Sequence, residues 1–355
     1  MQYYTVSNDR SIYEAWPDVA LCDSGRLVCC FSECTTHGNR DLARITLVTS
    51  DDRGRTWSGK RYLSDRGKKD AYYNCARISK LRDGTLTLVC DFIIGSENGR
   101  NVAVYLWTSS DEGESWEGPI LTPAVGIVPE HITELESGRL LLAAHTPDLT
   151  TGKLTQYLWY TDDRGATWSE RVTVGSDPRY NLCEASLLPL GGNELVCFMR
   201  ENSGMGYDCL KSFSHDGGAT WDGVYNTPMP GAHRPTSGFI HSTNPLLDGC
   251  ILVTYRYMQG GGVCRLKDGS TRSFGSTQSV HGAIMRPESV KAIERFRQNA
   301  RIFQLAYDRA PTPDLGYTGW VQFDDGEIYL VNYIRDLEYK AWIQGISFTP
   351  EELMA

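Results

Sequence analysis

The chain alternates apolar segments with glycine-containing turns, and this arrangement returns six times. In each copy an apolar run leads into a turn such as Asp-Gly or Ser-Gly, and a second apolar run follows. The turn glycines are Gly25, Gly84, Gly138, Gly191, Gly249 and Gly326. Because such turns between two β-rich runs are typical of hairpins, the pattern predicts six β-hairpins.

A second repeat lies beside the hairpins and has the form Ser/Thr-x-Asp-x-Gly-x-Ser/Thr-Trp. Its copies begin at Ser50, Ser109, Thr161 and Ser214, at intervals of 59, 52 and 53 residues. The aspartate can accept hydrogen bonds from its own turn, the glycine supplies a positive φ, and the tryptophan anchors the unit. A period of this length indicates one supersecondary unit that is repeated, as in a propeller. A calcium loop is not indicated, because the alternating oxygen ligands and the closing glutamate are missing.

The second repeat resembles the Asp-box of the sialidase-like β-propellers, and the resemblance extends over most of the chain. Together with the six hairpins, it predicts an all-β, six-bladed β-propeller that forms a single domain over residues 1–355. The inner strands of a propeller converge on one central cavity. The Asp-boxes of this superfamily lie on the outer rim, so they predict the fold and not the chemistry.

The interval between Gly249 and Gly326 is longer than the other hairpin intervals. Pro287, followed by Val290, Ile293 and Phe296 on one helical face, predicts a short helix within it. We expect a helical insertion in blade five. It would cover part of the pocket, contact another subunit of a homo-oligomer, or pack on the propeller wall.

Composition narrows the range of partners. The chain has 35 Lys and Arg against 44 Asp and Glu, a net charge of −9, and no basic block, which argues against a nucleic-acid partner. No apolar run approaches the roughly 18 residues of a membrane helix, and the first residues lack signal-peptide features, so we expect no membrane partner and a cytoplasmic location. We interpret the eleven cysteines as reduced core residues. No metal-ligand spacing is present, and no cofactor is expected.

The sixth hairpin segment carries the clearest chemical signal. Tyr317, in the stretch Asp-Leu-Gly-Tyr-Thr-Gly-Trp, resembles the sialidase tyrosine that opens the last inner strand and acts as the nucleophile. Glu184 and Arg200 are similar, in order and spacing, to its glutamate partner and to an arginine that binds the substrate carboxylate. The resemblance therefore implies these roles for the three residues.

The chemistry of sialic acids explains such a tyrosine. These sugars carry a carboxylate on the anomeric carbon, which would repel a carboxylate nucleophile but not a neutral tyrosine that a glutamate activates. The arrangement departs from the usual glycosidase with two carboxylates. Arginine suits the substrate carboxylate because its planar fork binds both oxygens.

The third arginine of the sialidase triad has two candidates. Arg234 precedes the fifth inner strand and Arg256 follows its hairpin. The position at a strand start favours Arg234, although a structural role is an alternative for each of the two.

The first blade departs from the family pattern. Ala15, before Trp16, stands where sialidases have an arginine. The arginine clamp is therefore incomplete unless Arg40, Arg77 or another residue replaces the missing side chain. Trp16 and Arg77 are additional candidates for substrate binding.

The general acid/base of sialidases is an aspartate on the loop after the first hairpin. Asp41 is the candidate here, and His37 or Glu33 in the same loop are alternatives, since neighbours can tune the pKa of either group. His37 is also a candidate substrate-binding residue.

Three functional hypotheses follow. The first is a retaining exo-glycosidase that releases a terminal sialic acid or a related 2-keto-3-deoxy sugar acid from a small glycan. The second is a glycosidase for a uronic or neutral sugar, which would use Glu14, Asp18, Asp41 or Glu184. The third is a propeller that binds glycans or proteins without catalysis, since Asp-boxes also occur in binding proteins.

Overall fold

The computed structural model describes residues 1–95 and 101–353, and for residues 101, 261–265 and 271–275 it describes the backbone only. Within these residues the strands form six four-stranded antiparallel sheets, which are the blades of a propeller. The predicted six-bladed β-propeller is therefore confirmed.

Each blade runs from an inner strand near the propeller axis to an outer strand on the rim. Blade one contains β2 Tyr13–Leu21, β3 Leu27–Cys34, β4 Arg44–Ser50 and β5 Arg61–Tyr62. Blade two contains β6 Ala71–Lys80, β7 Leu86–Ile94, β8 Asn101–Ser109 and β9 Glu117–Leu121. Blade three contains β10 Thr133–Glu134, β11 Leu140–Pro147, β12 Leu154–Thr161 and β13 Val172–Gly175. Blades four and five contain β14 Leu182–Gly191, β15 Glu194–Glu201, β16 Leu210–Ser214 and β17 Asp222–Asn226; and β18 Ala232–Phe239, β19 Ile251–Arg265, β20 Thr271–Met285 and β21 Arg301–Tyr307. Blade six contains β22 Gly316–Gln322, β23 Ile328–Ile334, β24 Trp342–Phe348 and, as its outer strand, β1 Gln2–Ser7.

The first strand of the chain closes the ring. β1 pairs antiparallel with β24, from Gln2 opposite Ser347 to Ser7 opposite Ile343. A half-buried lysine supports this closure, because Lys60 Nζ lies 3.3 Å from Asp9, 2.5 Å from Glu14 and 2.8 Å from Glu33. These contacts join the segment that follows β1 to blade one.

The apolar core lies between the blades. Six clusters of buried hydrophobic residues occur in the described chain. Five of them combine side chains of two neighbouring blades, and the sixth joins blades six and one and extends to Cys75 and Val128. One example joins Cys30 of β3 to Ile78 of β6. The ten cysteines with described side chains are buried and form no disulfide.

The Asp-boxes lie between the third and fourth strands of blades one to four. In the first box, Asp52 accepts hydrogen bonds from the Ser50 hydroxyl at 2.8 Å, from the Thr56 amide at 2.8 Å and from the Thr56 hydroxyl at 2.6 Å. Gly54 has a φ of 81°, and a Cβ there would lie 2.2 Å from the Tyr329 ring of blade six. The glycine therefore provides both the turn and the close approach to the neighbouring blade.

Blade five contains the predicted helical insertion, but the helix is shorter than the pattern predicts, since it ends before Ile293 and Phe296, which are exposed. The α-helix α1, Pro287–Lys291, and a 3₁₀ turn at Arg295–Arg297 lie between β20 and β21. Lys211 of blade four donates hydrogen bonds from Nζ to the carbonyls of Val290 and Ala292, at 2.6 and 2.7 Å, so the insertion packs on the propeller wall.

The insertion does not cover the candidate site. It follows the end of β20, where Met285 pairs with Ile251. Ile251 in turn pairs with Phe239, the last residue of the inner strand β18, so the insertion lies at the edge of the blade where that strand ends. The long interval also has a second cause that the sequence pattern did not show. β19 and β20, with 15 residues each, continue past Tyr257 and Ser279 as a long hairpin at the opposite edge.

No helix among the described residues is long and apolar enough to span a membrane.

Candidate active site

The candidate site begins at a bulge that recurs in the inner strands. The pairing register shifts between Ala15 and Asp18 in blade one, and corresponding shifts occur near the starts of β6, β14, β18 and β22. In each bulge one residue other than glycine has a positive φ. These residues are Trp16 (57°), Cys75 (44°), Glu184 (49°), Arg234 (50°) and Tyr317 (46°).

This backbone conformation is uncommon outside glycine and costs about 1–3 kcal/mol per residue. A bulge of this kind also re-aims the side chain that it carries. Repetition around the ring places five chemically different side chains at equivalent positions near the propeller axis. The local strain is therefore concentrated where the inner strands converge.

Tyr317 and Glu184 form the centre of the site. The Tyr317 hydroxyl donates a short hydrogen bond to Glu184 Oε1, and both side chains are buried. Glu184 Oε2 is also buried and has no hydrogen-bond partner among the described residues. The nucleophile and the partner that the sequence predicts are thus in direct contact, although they belong to blades six and four.

Burial is the largest influence on both groups. It raises the pKa of Tyr317 well above its ordinary value, and the negative charge of Glu184 raises it further. Burial also favours a raised pKa for Glu184, but Arg200, the Tyr317 hydrogen bond, Arg256 and His145 together lower that pKa below its ordinary range. The pair therefore consists of a neutral phenol and a carboxylate.

Two arginines flank this pair. Arg200 donates from Nη1 to Glu184 Oε1 at 2.9 Å, and the Arg256 guanidinium lies 5.7 Å from the centre of the Tyr317 ring. Arg256 Nη2 lies 3.2 Å from His233 Nδ1. Burial, Arg200 and Arg256 lower the pKa of His233 to about 3, so its imidazole is neutral and accepts this hydrogen bond.

The blade-one side of the site is aromatic. The Arg40 guanidinium stacks on the Trp16 ring at 3.6 Å, and the His37 ring contacts the edge of the same indole at a centroid distance of 5.3 Å. His37 Nδ1 lies 2.8 Å from Asp314 Oδ2. A cation from the β3–β4 loop therefore lies over the residue that follows Ala15.

The blade-two side carries a buried carboxyl group. Asp91 Oδ2 accepts a hydrogen bond from Asn74 at 3.2 Å, and Oδ1 accepts one from the Val128 amide at 3.2 Å. Burial raises the pKa of Asp91 to about 7, although these bonds and the charge of Arg40 oppose the shift. Cys75, next to Asn74, is the bulge residue on this side.

Two predicted arginines lie below the site rather than at its surface. Arg234 is fully buried, with Nη1 2.9 Å from Glu130 and 2.8 Å from the Ala185 carbonyl. Arg77 is also buried, with Nε 3.2 Å from Asp18 and further hydrogen bonds to backbone carbonyls. The structure thus brings Arg256 to Tyr317 and leaves Arg234 and Arg77 in ion pairs along the axis.

The remaining acid/base candidates are Asp41 in the β3–β4 loop and Glu33, which lies in β3 and not in the loop as expected, and they differ in their surroundings. Asp41 is exposed, and no hydrogen bond to its carboxylate occurs within the described part of the chain. Glu33 is buried and accepts hydrogen bonds from Arg44 at 2.7 Å and Lys60 at 2.8 Å. Glu33 is therefore held in the ion cluster near the closing strand.

Sequence reasoning missed Cys75, Asp91, His233 and a role for Asp314. A spacing signal was available for Cys75: Trp16, Cys75 and Tyr317 each stand nine residues before their hairpin glycine. No such signal exists for Asp91 or His233, because contacts with neighbouring strands and blades bring these residues to the site. Within the described residues no group of three or more His, Cys, Asp or Glu side chains could hold a metal ion.

Comparisons with known proteins agree with this architecture. A model of the BNR repeat-like domain family matches residues 25–245. The chain is 26% identical over 201 residues to a sialidase of Bacteroides fragilis (strain YCH46), a match that covers 53% of this chain and 36% of that protein. The matched segment is thus about a third of the length of that curated relative.

Several solved structures share the fold. A protein of unknown function from Dyadobacter fermentans DSM 18053 aligns with a TM-score of 0.77 at 21% identity, covering 98% of this chain and 97% of that one. The Hadza microbial sialidase Hz136 aligns with a TM-score of 0.69 at 16% identity, covering 99% and 69%. The intramolecular trans-sialidase from Ruminococcus gnavus aligns with a TM-score of 0.66 at 12% identity, covering 99% and 96%.

The family match covers more than half of the chain, and the sheet order is that of a six-bladed ring. The chain therefore belongs to the BNR repeat-like domain family and is a sialidase-like six-bladed β-propeller.

Proposed function

We propose that this protein is a sialidase-type exo-glycosidase that releases a terminal sialic acid, or a related 2-keto-3-deoxy sugar acid, with retention of configuration. The observation that carries the proposal is the hydrogen bond from Tyr317 to Glu184, with Arg200 and Arg256 beside it. The similarity to a sialidase of Bacteroides fragilis supports the same class of enzyme.

The first chemical step forms a bond from the Tyr317 oxygen to the anomeric carbon. The phenol proton passes to Glu184, the glycosidic carbon–oxygen bond breaks, and the leaving oxygen takes a proton from a side chain at the mouth. The resemblance assigns that donor to Asp41. In the second step water attacks the anomeric carbon and gives a proton to the side chain that protonated the leaving oxygen, while the tyrosine leaves and Glu184 returns the phenol proton to it. Two displacements at one carbon give net retention.

Substrate binding would make Glu184 a stronger base. In the unliganded site Arg200 lies 2.9 Å from Glu184 and lowers the pKa of that carboxyl. A substrate carboxylate that competes for the Arg200 fork draws this positive charge away from Glu184. The pKa of Glu184 then rises toward the value that proton transfer from Tyr317 requires.

We assign the carboxylate clamp to Arg200, Arg256 and Arg40. Arg200 and Arg256 each have a buried Nε without a hydrogen-bond partner among the described residues. Arg40 extends over Trp16 from the β3–β4 loop. A loop arginine is placed differently from a strand arginine, and this supports a donor sugar whose shape differs from that of N-acetylneuraminic acid.

The test is hydrolysis of a panel of aryl glycosides of 2-keto-3-deoxy sugar acids by the wild type and by Tyr317→Phe. Tyr329→Phe is the matched control, because Tyr329 is a buried blade-six tyrosine that hydrogen-bonds the Gly54 carbonyl at the rim. We expect wild-type turnover of at least one member, a loss of about 10³-fold or more in Tyr317→Phe, and near-normal turnover in the control. NMR of the first product should show the configuration of the substrate.

Turnover that survives in Tyr317→Phe would overturn the tyrosine mechanism. No turnover of any member by the wild type would overturn the sugar-acid donor. A screen of uronic and neutral glycosides, together with a glycan-binding array, would then decide between the other two hypotheses.

A further inference from the structure

His37 lies at the mouth of the site with its two ring nitrogens in different environments. Nδ1 lies 2.8 Å from Asp314 Oδ2, whereas no hydrogen bond to Nε2 occurs among the residues that the structure describes. About half of the side chain is exposed. A turn in which the Asn39 amide donates to the Thr36 carbonyl at 3.2 Å presents the ring, which then rests against Trp16.

Further hydrogen bonds fix the carboxylate of Asp314 beside this ring. Its Oδ2 also accepts a short hydrogen bond from the Tyr13 hydroxyl, and its Oδ1 accepts one from the Tyr333 hydroxyl at 3.0 Å. Burial favours a raised pKa for Asp314, but His37, Tyr13 and Arg256 lower it below its ordinary value. The carboxylate is thus ionised, and its direction is fixed by groups from three separate elements.

An ionised carboxylate that faces Nδ1 favours one tautomer of the neutral imidazole. Nδ1 carries the hydrogen and donates it to Asp314, so protons enter and leave at Nε2. A histidine held in this way can give a proton to a leaving group and later take one from water.

Tyr333 connects this dyad with Tyr317. The Tyr333 hydroxyl binds Asp314, and the Tyr333 ring lies edge-on to the Tyr317 ring at a centroid distance of 6.4 Å. Trp16 packs on Tyr333 at 5.9 Å. One aromatic cluster therefore joins His37 to the wall of the site that carries Tyr317.

We propose that His37 is the acid/base residue of this enzyme and that Asp314 is its positioning residue. This inference rests on the proposed function, and it departs from the family, in which an aspartate of the same loop has the role. Asp41 is the residue that the resemblance favours, but it is exposed, with no hydrogen bond to its carboxylate in the described chain. Of the two, His37 alone has an orienting partner.

The proton balance is complete with these residues. In the first step the His37 imidazolium gives its Nε2 proton to the glycosidic oxygen while the bond between that oxygen and the anomeric carbon breaks. The neutral imidazole then accepts a proton from the water that attacks the anomeric carbon of the sugar bound to Tyr317. His37 ends each cycle protonated, as it began.

The test uses leaving groups that differ in their need for protonation. A nitrophenyl glycoside of the preferred sugar acid departs without an acid, whereas a glycoside with a sugar alcohol as leaving group does not. For His37→Gln we expect kcat/KM to fall by about 10²- to 10⁴-fold on the sugar-linked substrate and by less than about 10-fold on the nitrophenyl substrate. Azide should raise kcat of the variant on the nitrophenyl substrate and yield the glycosyl azide, because azide needs no base.

Two further variants separate catalysis from packing. Asp314→Asn should show the same dependence on the leaving group in a weaker form, because the amide no longer fixes Nδ1–H. Asp41→Asn tests the competing assignment, and if His37 is the acid/base it should leave the ratio of the two kcat/KM values unchanged. Circular dichroism and thermal melting verify that each variant is folded.

The outcomes are distinct from those for the proposed function. If His37→Gln reduces kcat/KM equally on both substrates, or if Asp41→Asn shows the leaving-group dependence instead, His37 is not the acid/base although the enzyme remains a glycosidase. If the wild type hydrolyses neither glycoside, the proposed function fails and the assignment of His37 fails with it.

Discussion

The Tyr317 hydroxyl donates a hydrogen bond to Glu184 across the propeller axis, although 133 residues separate the two in the chain. Tyr317 stands on the inner strand of blade six and Glu184 on that of blade four, so the contact skips blade five. It forms only when the ring is closed and both inner strands carry their bulges. The strained backbone of the two residues, with φ values of 46° and 49°, is therefore coupled to the closure of the whole fold.

Glu184→Gln should reduce kcat more than it changes KM. The amide preserves the shape and much of the hydrogen bonding of the carboxylate, but it cannot accept the phenol proton. We expect kcat to fall by about 10²- to 10⁴-fold. Steady-state kinetics on the best substrate of the aryl panel measures this effect, and a variant that retains more than a tenth of the activity would exclude Glu184 as the proton acceptor.

Arg256→Lys should weaken the binding of a sugar-acid inhibitor that carries a free carboxylate. Lysine keeps the charge but loses the planar fork, and the loss of a charged hydrogen bond costs about 1.5–3 kcal/mol. We therefore expect the inhibition constant to rise by roughly 10- to 100-fold. The methyl ester of the same compound should bind the wild type and the variant about equally.

Arg286→Lys provides the control for this comparison. Arg286 is an exposed residue beside helix α1, at the blade edge opposite the site. It should leave both inhibition constants unchanged. A similar loss for the acid and the ester in Arg256→Lys would show that Arg256 acts on the packing of the site rather than on the carboxylate.

The Asp-boxes should make the fold sensitive to acid. Hydrogen bonds from the Thr56 hydroxyl and amide are the main cause that lowers the pKa of Asp52 to about 2, and related bonds lower the pKa of Asp111 and Asp163 to about 2. An unfolded aspartate titrates near about 4. The folded state thus binds these protons less tightly, so the stabilisation is complete above about pH 4 and disappears as the pH falls toward about 2.

Asp52→Asn tests this interpretation by thermal melting between pH 6 and pH 2.5. The variant should lower Tm by about 2–4 °C at pH 6 and show a smaller further loss below pH 4 than the wild type. Asp51→Asn is the matched control, since the neighbouring carboxylate is exposed and makes a surface ion pair with Arg26. Equal melting curves for the two variants would contradict a stabilising role of the box.

Lys60→Met should destabilise the closure of the ring. Lys60 lies beside Glu14, which is fully buried, and beside Glu33 and Asp9. Removal of one partner of a buried ion cluster leaves unpaired charge and costs about 3–5 kcal/mol. Urea unfolding should therefore show a lower midpoint.

Two companion variants make the cause of this loss clear. Lys69→Met removes an exposed lysine of the loop between β5 and β6 and should change the free energy of unfolding by no more than about 0.5 kcal/mol. Glu14→Gln, added to Lys60→Met, should restore part of the lost stability because it neutralises a buried carboxyl group. No recovery in the double variant would argue against unpaired charge as the cause.

The sequence by itself determined the blade count and predicted that Tyr317 and Glu184 form a pair. Hairpins and Asp-boxes are local structures, whose strands, turn glycines and side-chain bonds lie within a few residues of one another. Tyr317, Glu184 and Arg200 follow from a family pattern that keeps their order along the chain. The sequence pattern did not show that residues 2–7 complete blade six, because the pairing of β1 with β24 joins the two ends of the chain.

Only the tertiary structure decided which cations face the site. Arg234 stands at a strand start, the position that the family pattern favours for the arginine clamp, yet it is buried and paired with Glu130. Arg256 reaches Tyr317 from a hairpin strand. Arg40 reaches Trp16 from a loop. The bulges rotate the side chains of the inner strands, and neighbouring blades supply the partners. Both effects depend on contacts between residues far apart in the chain, which a local pattern of apolar and polar positions does not contain.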